Sequence, residues 1–189
     1  ICRDNNWKLK ETESQTVYPD FTIIMENNNK IAVDIKTTYR RHKKNGDISK
    51  YGFTLGAFAS FLRNNTKNIA YPYDQYVEHY VIGFVYDRVQ GSKAGQIAHI
   101  GDVAQPPYRN VEYFIQEKYK IAGDKPGSGN TENIGSILTN NIDDFKNGNG
   151  IFSKLGNDVF EGYWRGYPRY RATTKRYTTL QQYLDLKNS

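Results

Sequence analysis

The sequence predicts an α/β (α+β) fold, in which a central mixed β-sheet is flanked by helices. Two observations support this expectation: strand-like and helix-like segments alternate along the chain, and the connections between them are short. A length of 189 residues suits one domain with a sizeable core, and no internal repeat or long low-complexity tract divides it. We therefore expect residues 1–189 to form a single domain.

The first two predicted elements form a β-hairpin. Phe21–Met25 is rich in apolar and β-branched residues, Asn27–Lys30 is a turn signal, and Ile31–Lys36 has the composition of a second strand. An antiparallel return brings the end of the second strand back towards Asp20, which stands at the outer end of the first strand.

The remaining elements follow from the same kinds of pattern, with boundaries uncertain by several residues. In chain order we expect a polar basic loop over Arg40–Asp47, a buried helix over Phe53–Arg63, a long strand over Tyr76–Val89, a bent strand over Val111–Ile115 and Lys118–Ile121, a glycine-rich loop over Gly123–Asn130, a partly helical segment over Ile134–Phe145, and helices over Asp158–Trp164 and Thr179–Leu186.

The composition suits a polyanionic partner. The formal net charge is +6 and the pI is about 9.2, although a moderate positive charge is also common in proteins without such a partner. The single cysteine, Cys2, excludes a disulfide framework and a cysteine-based zinc site, and the three histidines (His42, His79 and His99) show no metal-ligand spacing. No apolar run approaches the ~18 residues of a membrane span and no signal peptide opens the chain, so we expect a cytoplasmic protein. The chain begins at Ile1 without Met, which indicates a fragment or a processed form.

Asp20, Asp34 and Lys36 form the main candidate for a catalytic site. Asp34 and Lys36 are two residues apart, so a pleated strand points both side chains to one face. Two carboxylates can hold Mg²⁺ against a substrate phosphate, and a neighbouring ammonium can orient the attacking water and stabilise charge on the phosphoryl oxygens. The alternative is a surface hairpin with an ordinary Asp–Lys salt bridge, because Pro-Asp and Asp-x-Lys are short and common motifs.

Gly127–Glu132 is a second candidate site. It lacks the Gly-Lys-Ser/Thr ending of a P-loop, and Glu132 occupies the third-glycine position of a dinucleotide fingerprint, so nucleotide binding is weakly supported. A loop of this composition can instead enter a DNA major groove, where the Asn130 amide would pair with adenine and glycine allows close backbone approach. An ordinary surface turn remains the alternative.

The segment from Arg165 to Arg176 is the third candidate, because it is basic and aromatic and contains no acidic residue. Its composition is typical of a clamp on nucleic-acid phosphates, and a solvated basic tail with inward-packed aromatics is the alternative. The candidate phosphate-binding residues are Arg165, Arg169, Arg171, Lys175 and Arg176, and the neighbouring aromatics are Tyr163, Trp164, Tyr167 and Tyr170.

Short blocks of sequence carry a resemblance to a known family, in one order from Ile1 to about Arg176. The matching blocks are Tyr18–Thr22, Asp34–Tyr39, Phe53–Gly56, Arg63–Ile69, Ile121–Asp124, Gly127–Thr131, Asn133–Ile137 and Tyr163–Arg165. With them the chain resembles the EcoRV-type type II restriction endonucleases of the PD-(D/E)xK nuclease superfamily. The Pro-Asp and Asp-x-Lys motifs alone mark that superfamily weakly, whereas the long blocks make the match specific.

The resemblance implies a restriction-endonuclease-like PD-(D/E)xK core and a Mg²⁺-dependent enzyme, in which Mn²⁺ can substitute. It implies a homodimer that cuts both strands of double-stranded DNA at a palindromic hexamer, for which GATATC is our expectation, and leaves blunt ends. A cognate DNA methyltransferase is expected in the same system.

Roles for individual residues come from the same resemblance. Asp20 and Asp34 match the metal-binding carboxylates, and Lys36 matches the catalytic lysine. The positions that match DNA-facing residues are Gln15 near the minor groove, Thr38 and Lys67 around the phosphates, Ser60 at another DNA-facing position, and Gly127, Gly129, Asn130 and Thr131 in the loop that reads bases in the major groove.

Three departures from the family affect these expectations. The family's N-terminal region, with a third active-site carboxylate and much of the dimer contact, would lie before Ile1. Glu132 stands where the family has a threonine, and Thr16 stands where it has a polar amide, so sequence preference can differ.

Two other functions remain open from the sequence. One is a non-cleaving DNA-binding module or a truncated inactive nuclease, against which the intact set of Asp20, Asp34 and Lys36 argues. The other is a nuclease for structured DNA, against which the composition of Gly127–Thr131 argues, since it suits base readout.

Overall fold

The fold is built mainly from β-strands. Within residues 2–91, 106–127 and 132–189, which the computed structural model describes, the strands are β1 (Lys8–Glu11), β2 (Phe21–Ile24), β3 (Lys30–Tyr39), β4 (Thr54–Ala57), β5 (Tyr76–Arg88), β6 (Tyr108–Glu117), β7 (Ala122–Pro126) and β8 (Asn133–Ser136). The α-helices are α1 (Lys118–Ile121), α2 (Asp143–Lys146), α3 (Asn157–Gly166) and α4 (Leu180–Asn188). A π-helical turn covers Phe58–Leu62, and a 3-10 turn covers Tyr73–Gln75.

The strands form two sheets. A five-stranded sheet has the order β1-β2-β3-β5-β6, and a three-stranded sheet has the order β4-β8-β7. In the larger sheet β3 and β5 are parallel, whereas the other neighbours are antiparallel. The predicted mixed sheet with flanking helices is therefore confirmed.

The β2–β3 hairpin forms as the sequence predicts. Asn28 has a positive φ of 63°, a conformation that asparagine tolerates, and the Asn27 side chain accepts a hydrogen bond of 3.1 Å from the Asn29 amide. The register pairs Phe21 with Val33. Asp20, one residue before β2, therefore lies beside the middle of β3.

The core packs aromatic rings against the larger sheet. Phe114 of β6 stacks on Phe145 of α2 with centroids 5.1 Å apart, and Phe53 meets both rings edge-on. Tyr163 and Trp164 of α3 are fully buried, and α3 packs against the π-helical turn. The core thus ties the helices to the strands that carry the candidate site.

The expectation of a helix over Phe53–Arg63 was wrong. The segment forms β4 and then a π-helical turn, in which Ser60 has non-helical angles of φ −102° and ψ −110°. Gly56, within β4, has φ +98°, a conformation that no regular helix contains. The Phe58 amide donates to the Glu132 carbonyl, so tertiary pairing overrides the helical spacing of the apolar residues.

The glycine-rich loop and the segment after it also differ from expectation. Gly123–Asn130 begins as strand β7, and Ile134–Phe145 begins as strand β8 and becomes helical only at α2. Strands β7 and β8 are short and pair with each other, and β8 also pairs with β4, a non-local partner that local composition does not reveal.

Other elements match their sequence patterns. The long strand is confirmed as β5, Val111–Ile115 lies within β6, and the two C-terminal helices are confirmed as α3 and α4. Lys118–Ile121, expected as part of a bent strand, is the helical turn α1, and β1 had no counterpart among the expected elements. Thr179 caps α4, because its side chain accepts a hydrogen bond of 3.3 Å from the Gln182 amide. Among the described residues, no helix is long and apolar enough to cross a membrane.

Candidate active site

The hairpin brings Asp20 and Asp34 together at the middle of β3, the central strand of the larger sheet. The Ile35 amide donates a hydrogen bond of 2.6 Å to Asp20 Oδ2, which fixes that carboxylate against β3. Asp34 is the preceding residue of β3 and is only 3% exposed, whereas Asp20 is half-buried. The two carboxylates therefore lie close together but differ in burial.

Lys36 lies on the same face of β3 as Asp34. Its Nζ is 2.8 Å from Asp34 Oδ2, and the lysine side chain keeps 26% of its surface exposed. Asp34 Oδ2 is buried, and the Lys36 ammonium is the charged group beside it.

Burial and neighbouring charges have opposite effects on the pKa of the Asp34 carboxyl. Burial raises the pKa of the Asp34 carboxyl, and the ammonium groups of Lys36 and Lys118 oppose that rise. The negative charge of Asp20 adds to the rise, which places it within electrostatic reach. A cation placed between the two carboxylates would relieve this repulsion.

The donor set fits a hard divalent cation. The described residues contain no group of three or more His, Cys, Asp or Glu side chains that could enclose a metal ion. Asp20 and Asp34 supply carboxylate oxygens, and the buried Oδ2 of Asp34, which has the Lys36 ammonium beside it, can take such an ion as a further partner. Mg²⁺ suits two carboxylates, because it keeps several waters and takes a phosphate oxygen as a further ligand.

A groove of about 600 Å³ runs from β3 to Gly127, the start of the predicted recognition loop. Lys36 and Thr38 of β3 line one side, and Lys125, Gly127 and Ser136 line the other. The groove therefore joins the residues predicted to cut DNA to those predicted to read it. Gly129, Asn130 and Thr131 lie outside the described residues.

Lys67 and Ser60 lie along a second surface groove, with Asn133 and Arg169. Lys67 is exposed and free to meet a phosphate. Ser60 is only 7% exposed, and its hydroxyl donates to the Lys67 carbonyl at 2.8 Å. In this structure Ser60 shapes the loop that carries Lys67, and its contact with DNA stays a prediction.

Comparison with known proteins identifies the family. The model of the family described as restriction endonuclease EcoRV matches residues 1–188. The type II restriction enzyme EcoRV of Escherichia coli is 44% identical over 190 aligned positions, which cover 97% of this chain and 74% of that protein. The chain belongs to the EcoRV restriction endonuclease family. It is therefore a type II site-specific deoxyribonuclease, and its substrate is DNA.

The burial of its aromatic rings corrects the interpretation of the basic segment from Arg165 to Arg176 and of its neighbours. Tyr163, Trp164 and Tyr167 are buried in the core, and only Tyr170, at 66% exposed, faces solvent. The inward-packing alternative is therefore right for three of these four rings. The basic side chains of the segment are exposed: Arg165, Arg169, Arg171, Lys175 and Arg176.

Gln15 and Glu132 are two further positions at which the resemblance to the EcoRV family gives an expectation about DNA. Gln15 is exposed in the loop before β2. Glu132, the departure from the family pattern, has Oε1 4.0 Å from Arg169 Nε. The extra carboxylate therefore faces a residue of the basic segment and reduces the positive potential beside the groove.

Sequence reasoning missed a buried polar cluster behind the carboxylates. Lys118 Nζ donates to the Tyr18 hydroxyl at 2.6 Å, and the same hydroxyl is 2.8 Å from His79 Nδ1. Lysine side chains are almost never fully buried, so Lys118 carried no sequence signal for this position. Tyr18 precedes the Pro-Asp motif and was noted only as part of a family block.

Proposed function

We propose that this type II restriction endonuclease makes Mg²⁺-dependent double-strand cuts at the palindrome GATATC and leaves blunt ends. The arrangement at β3 carries the proposal. Asp34 Oδ2 is buried and contacts the Lys36 ammonium at 2.8 Å, and Asp20 is held beside Asp34 by the Ile35 amide. An ordinary surface salt bridge would be exposed to solvent, whereas Asp34 is only 3% exposed and lies beside a second carboxylate.

Asp20 and Asp34 would hold the Mg²⁺ ion, with Mn²⁺ as a substitute. When bound, the ion supplies positive charge to the phosphoryl oxygens and makes a nearby water easier to deprotonate. The Ile35 amide keeps Asp20 in place, and burial keeps Asp34 from rotating. Both carboxylates are therefore oriented before substrate arrives.

Lys36 acts on the attacking water and on the charge that develops at phosphorus. Its ammonium donates to the water and orients it in line with the bond that breaks. As the new oxygen–phosphorus bond forms and the leaving oxygen departs, the same charge stabilises the equatorial oxygens. The part of the side chain that stays exposed gives it access to the substrate.

Binding and reading of DNA are assigned to different surfaces. Lys67, Thr38 and the exposed basic side chains of Arg169, Arg171, Lys175 and Arg176 would contact phosphates. The loop of Gly127, Gly129, Asn130 and Thr131 would read base edges in the major groove, while Gln15 approaches the minor groove. The groove from Lys36 to Gly127 supports this division, since one duplex can reach both ends of it.

A palindromic site also implies an assembly. A two-fold symmetric target is matched by two copies of one chain, so we propose a homodimer, each copy of which cuts one strand. We also propose that residues 1–189 act as one domain for binding and cutting. A methyltransferase that modifies the same site is expected, because it protects the host's own DNA.

Digestion of phage DNA tests the proposal most directly. The purified protein is incubated with phage DNA and Mg²⁺, and the fragment ends are sequenced. We expect blunt ends in the centre of every GATATC and no cutting in EDTA. Cutting at another sequence would contradict the site assignment alone, whereas binding without any cutting in Mg²⁺ or Mn²⁺ would favour the non-cleaving module.

A further inference from the structure

A line of buried polar groups lies directly behind the carboxylate pair. Lys118 Nζ donates to the Tyr18 hydroxyl oxygen at 2.6 Å, and a lysine has no lone pair to accept with while charged. The Tyr18 hydroxyl proton is therefore free to go to His79 Nδ1, 2.8 Å away. Lys118, Tyr18 and His79 are 1%, 6% and 7% exposed, so none of the three touches the DNA-facing surface.

Burial of Lys118 is costly, and its surroundings show how it is tolerated. The ammonium lies 3.8 Å from the centre of the Tyr18 ring and 5.2 Å from that of Phe61, where the ring faces attract a cation. Burial nevertheless lowers the pKa of Lys118 to about 7. An apolar side chain of similar volume would suit this position at least as well for stability alone. The lysine therefore calls for a functional explanation.

Tyr18 connects this cluster to the catalytic carboxylate. Its amide donates to the Asn68 carbonyl at 3.0 Å, and its own carbonyl accepts from the Ala70 amide at 2.8 Å. Its ring stacks on Phe61 with centroids 4.3 Å apart. The hydroxyl thus adds a further contact that holds Tyr18, which stands two positions before Asp20. Through this contact Tyr18 is linked to Lys118 of α1 and His79 of β5.

We propose that Lys118 is a positioning residue, which acts through the Tyr18 hydroxyl to hold the Tyr18–Asp20 segment and thereby the Asp20 carboxylate. The proposal rests on the catalytic role proposed for Asp20. Lys118 touches neither substrate nor metal in this scheme. Apart from its charge, which opposes the rise in the pKa of Asp34, its contribution is geometric, and a displacement of about 1 Å at a reacting group can cost about 10²-fold in rate.

The test compares Tyr18→Phe, Lys118→Met and the double variant with wild type. Both substitutions keep side-chain volume and remove one end of the Lys118–Tyr18 hydrogen bond. Three quantities are measured: single-turnover cleavage of a GATATC duplex in Mg²⁺, binding of that duplex in Ca²⁺, and exchange of the Ile35 amide by ¹⁵N NMR without DNA. The Ile35 amide reports on Asp20 directly, because it donates to Oδ2.

We expect each single variant to cleave at least about ten-fold more slowly while duplex affinity stays within about three-fold of wild type. The Ile35 amide should exchange about ten-fold faster in both variants. The double variant should lose no more than the worse single variant, because the two residues act through one bond.

Tyr163→Phe is the matched control. It also deletes a buried tyrosine hydroxyl, which donates to the Asp124 carbonyl at 2.7 Å and has no connection to Asp20. We expect it to retain wild-type cleavage and Ile35 exchange. Additive losses in the double variant, or losses in Tyr163→Phe of equal size, would reduce Lys118 to a merely structural residue and overturn the proposal.

Two outcomes separate this proposal from the proposed function. If the wild type does not cut DNA, the proposed function fails, and the Ile35 exchange still decides whether Lys118 positions Asp20. If Lys118→Met does not fold, Tyr18→Phe alone carries the decision. Unchanged Ile35 exchange in a folded Tyr18→Phe protein would then overturn the positioning role.

Discussion

At the scale of single residues, two buried aspartates on neighbouring strands have different partners and different expected roles. Asp87 of β5 is paired with Arg40, whose Nη1 lies 3.6 Å from its Oδ1, and Asn110 donates to its Oδ2 at 2.8 Å. The buried oxygen of Asp34 in β3 has the Lys36 ammonium 2.8 Å away and a second carboxylate, Asp20, nearby. A carboxylate held by several donors stabilises the fold, whereas one that lies beside a lysine and a second carboxylate is suited to binding a ligand.

Asp34→Asn should abolish cleavage and leave the folded state intact, because it removes a metal ligand without changing side-chain volume. Asp87→Asn is the control: it should lower the free energy of unfolding by about 1–3 kcal/mol while cleavage remains. Cleavage is followed on a GATATC duplex and stability by urea unfolding. Near wild-type cleavage by Asp34→Asn would refute the metal-ligand assignment.

Lys36→Met should affect the chemical step more than binding. Its ammonium lies beside the reacting phosphate in our proposal, where charge grows in the transition state, so we expect a loss of at least about 10²-fold in single-turnover rate. Duplex affinity in Ca²⁺, which is larger and holds a looser geometry, should stay within a few-fold. Parallel losses of binding and cleavage would indicate a phosphate anchor instead.

Lys118 should also leave a signature in the pH dependence of stability. Burial lowers its pKa to about 7 from 10.5, so between these values the unfolded chain holds the extra proton and the folded chain does not. The contribution of this lysine to stability therefore rises with pH across that window, by up to about 1.4 kcal/mol per pH unit, and is constant below pH 7.

The measurement is urea unfolding of wild type and Lys118→Met at intervals from pH 7 to 9.5. The difference in unfolding free energy should shift in favour of wild type as pH rises. Lys146→Met, at a lysine that is 44% exposed and pairs with Asp143 on the surface, should show no such slope. A pH-independent difference for Lys118→Met would show that its pKa is ordinary.

At the scale of elements, the junction of β4 with the π-helical turn decides how Phe61 meets Tyr18. Gly56 has φ +98°, and a Cβ there would lie 2.8 Å from Phe61 Cζ. The Phe61 ring in turn stacks on Tyr18. A side chain at this glycine would therefore be felt at the segment that carries Asp20.

Gly56→Ala should destabilise the protein by about 1–3 kcal/mol through backbone strain, with a further loss from the contact with Phe61. Gly46→Ala is a close control, since Gly46 has φ +87° and no atom within 4 Å of the added Cβ. The comparison uses urea unfolding under identical conditions. Equal losses at the two glycines would show that Phe61 moves aside freely.

At the scale of the whole molecule, positive charge and base reading are expected to separate. Arg171→Ala should weaken binding to GATATC and random duplexes about equally and reduce the slope of log affinity against log salt by about 1.

Asn130→Ala should remove ~1–3 kcal/mol of discrimination per lost bidentate contact while low-salt binding to random DNA persists. Fluorescence anisotropy titrations over a salt series measure both effects. Unchanged site preference in Asn130→Ala would overturn the loop assignment.

The sequence by itself determined the hairpin and the family. The hairpin depends on local features: asparagines able to adopt a positive φ, apolar strands on either side, and a spacing of two residues between Asp34 and Lys36. The positions of Asp20, Asp34 and Lys36 therefore followed from the sequence pattern alone. The blocks shared with the EcoRV family then implied the enzyme class, which the comparisons confirm.

Only the tertiary structure decided the pairing of β4, β7 and β8 and the burial of Lys118. Those strands are short, and β8 takes β4 as a partner from far along the chain, which local propensity does not encode. Lys118 is a residue type that sequence places at the surface, and what holds it inside is a hydroxyl and two rings from distant segments. Non-local contacts of this kind exist only once the chain has folded.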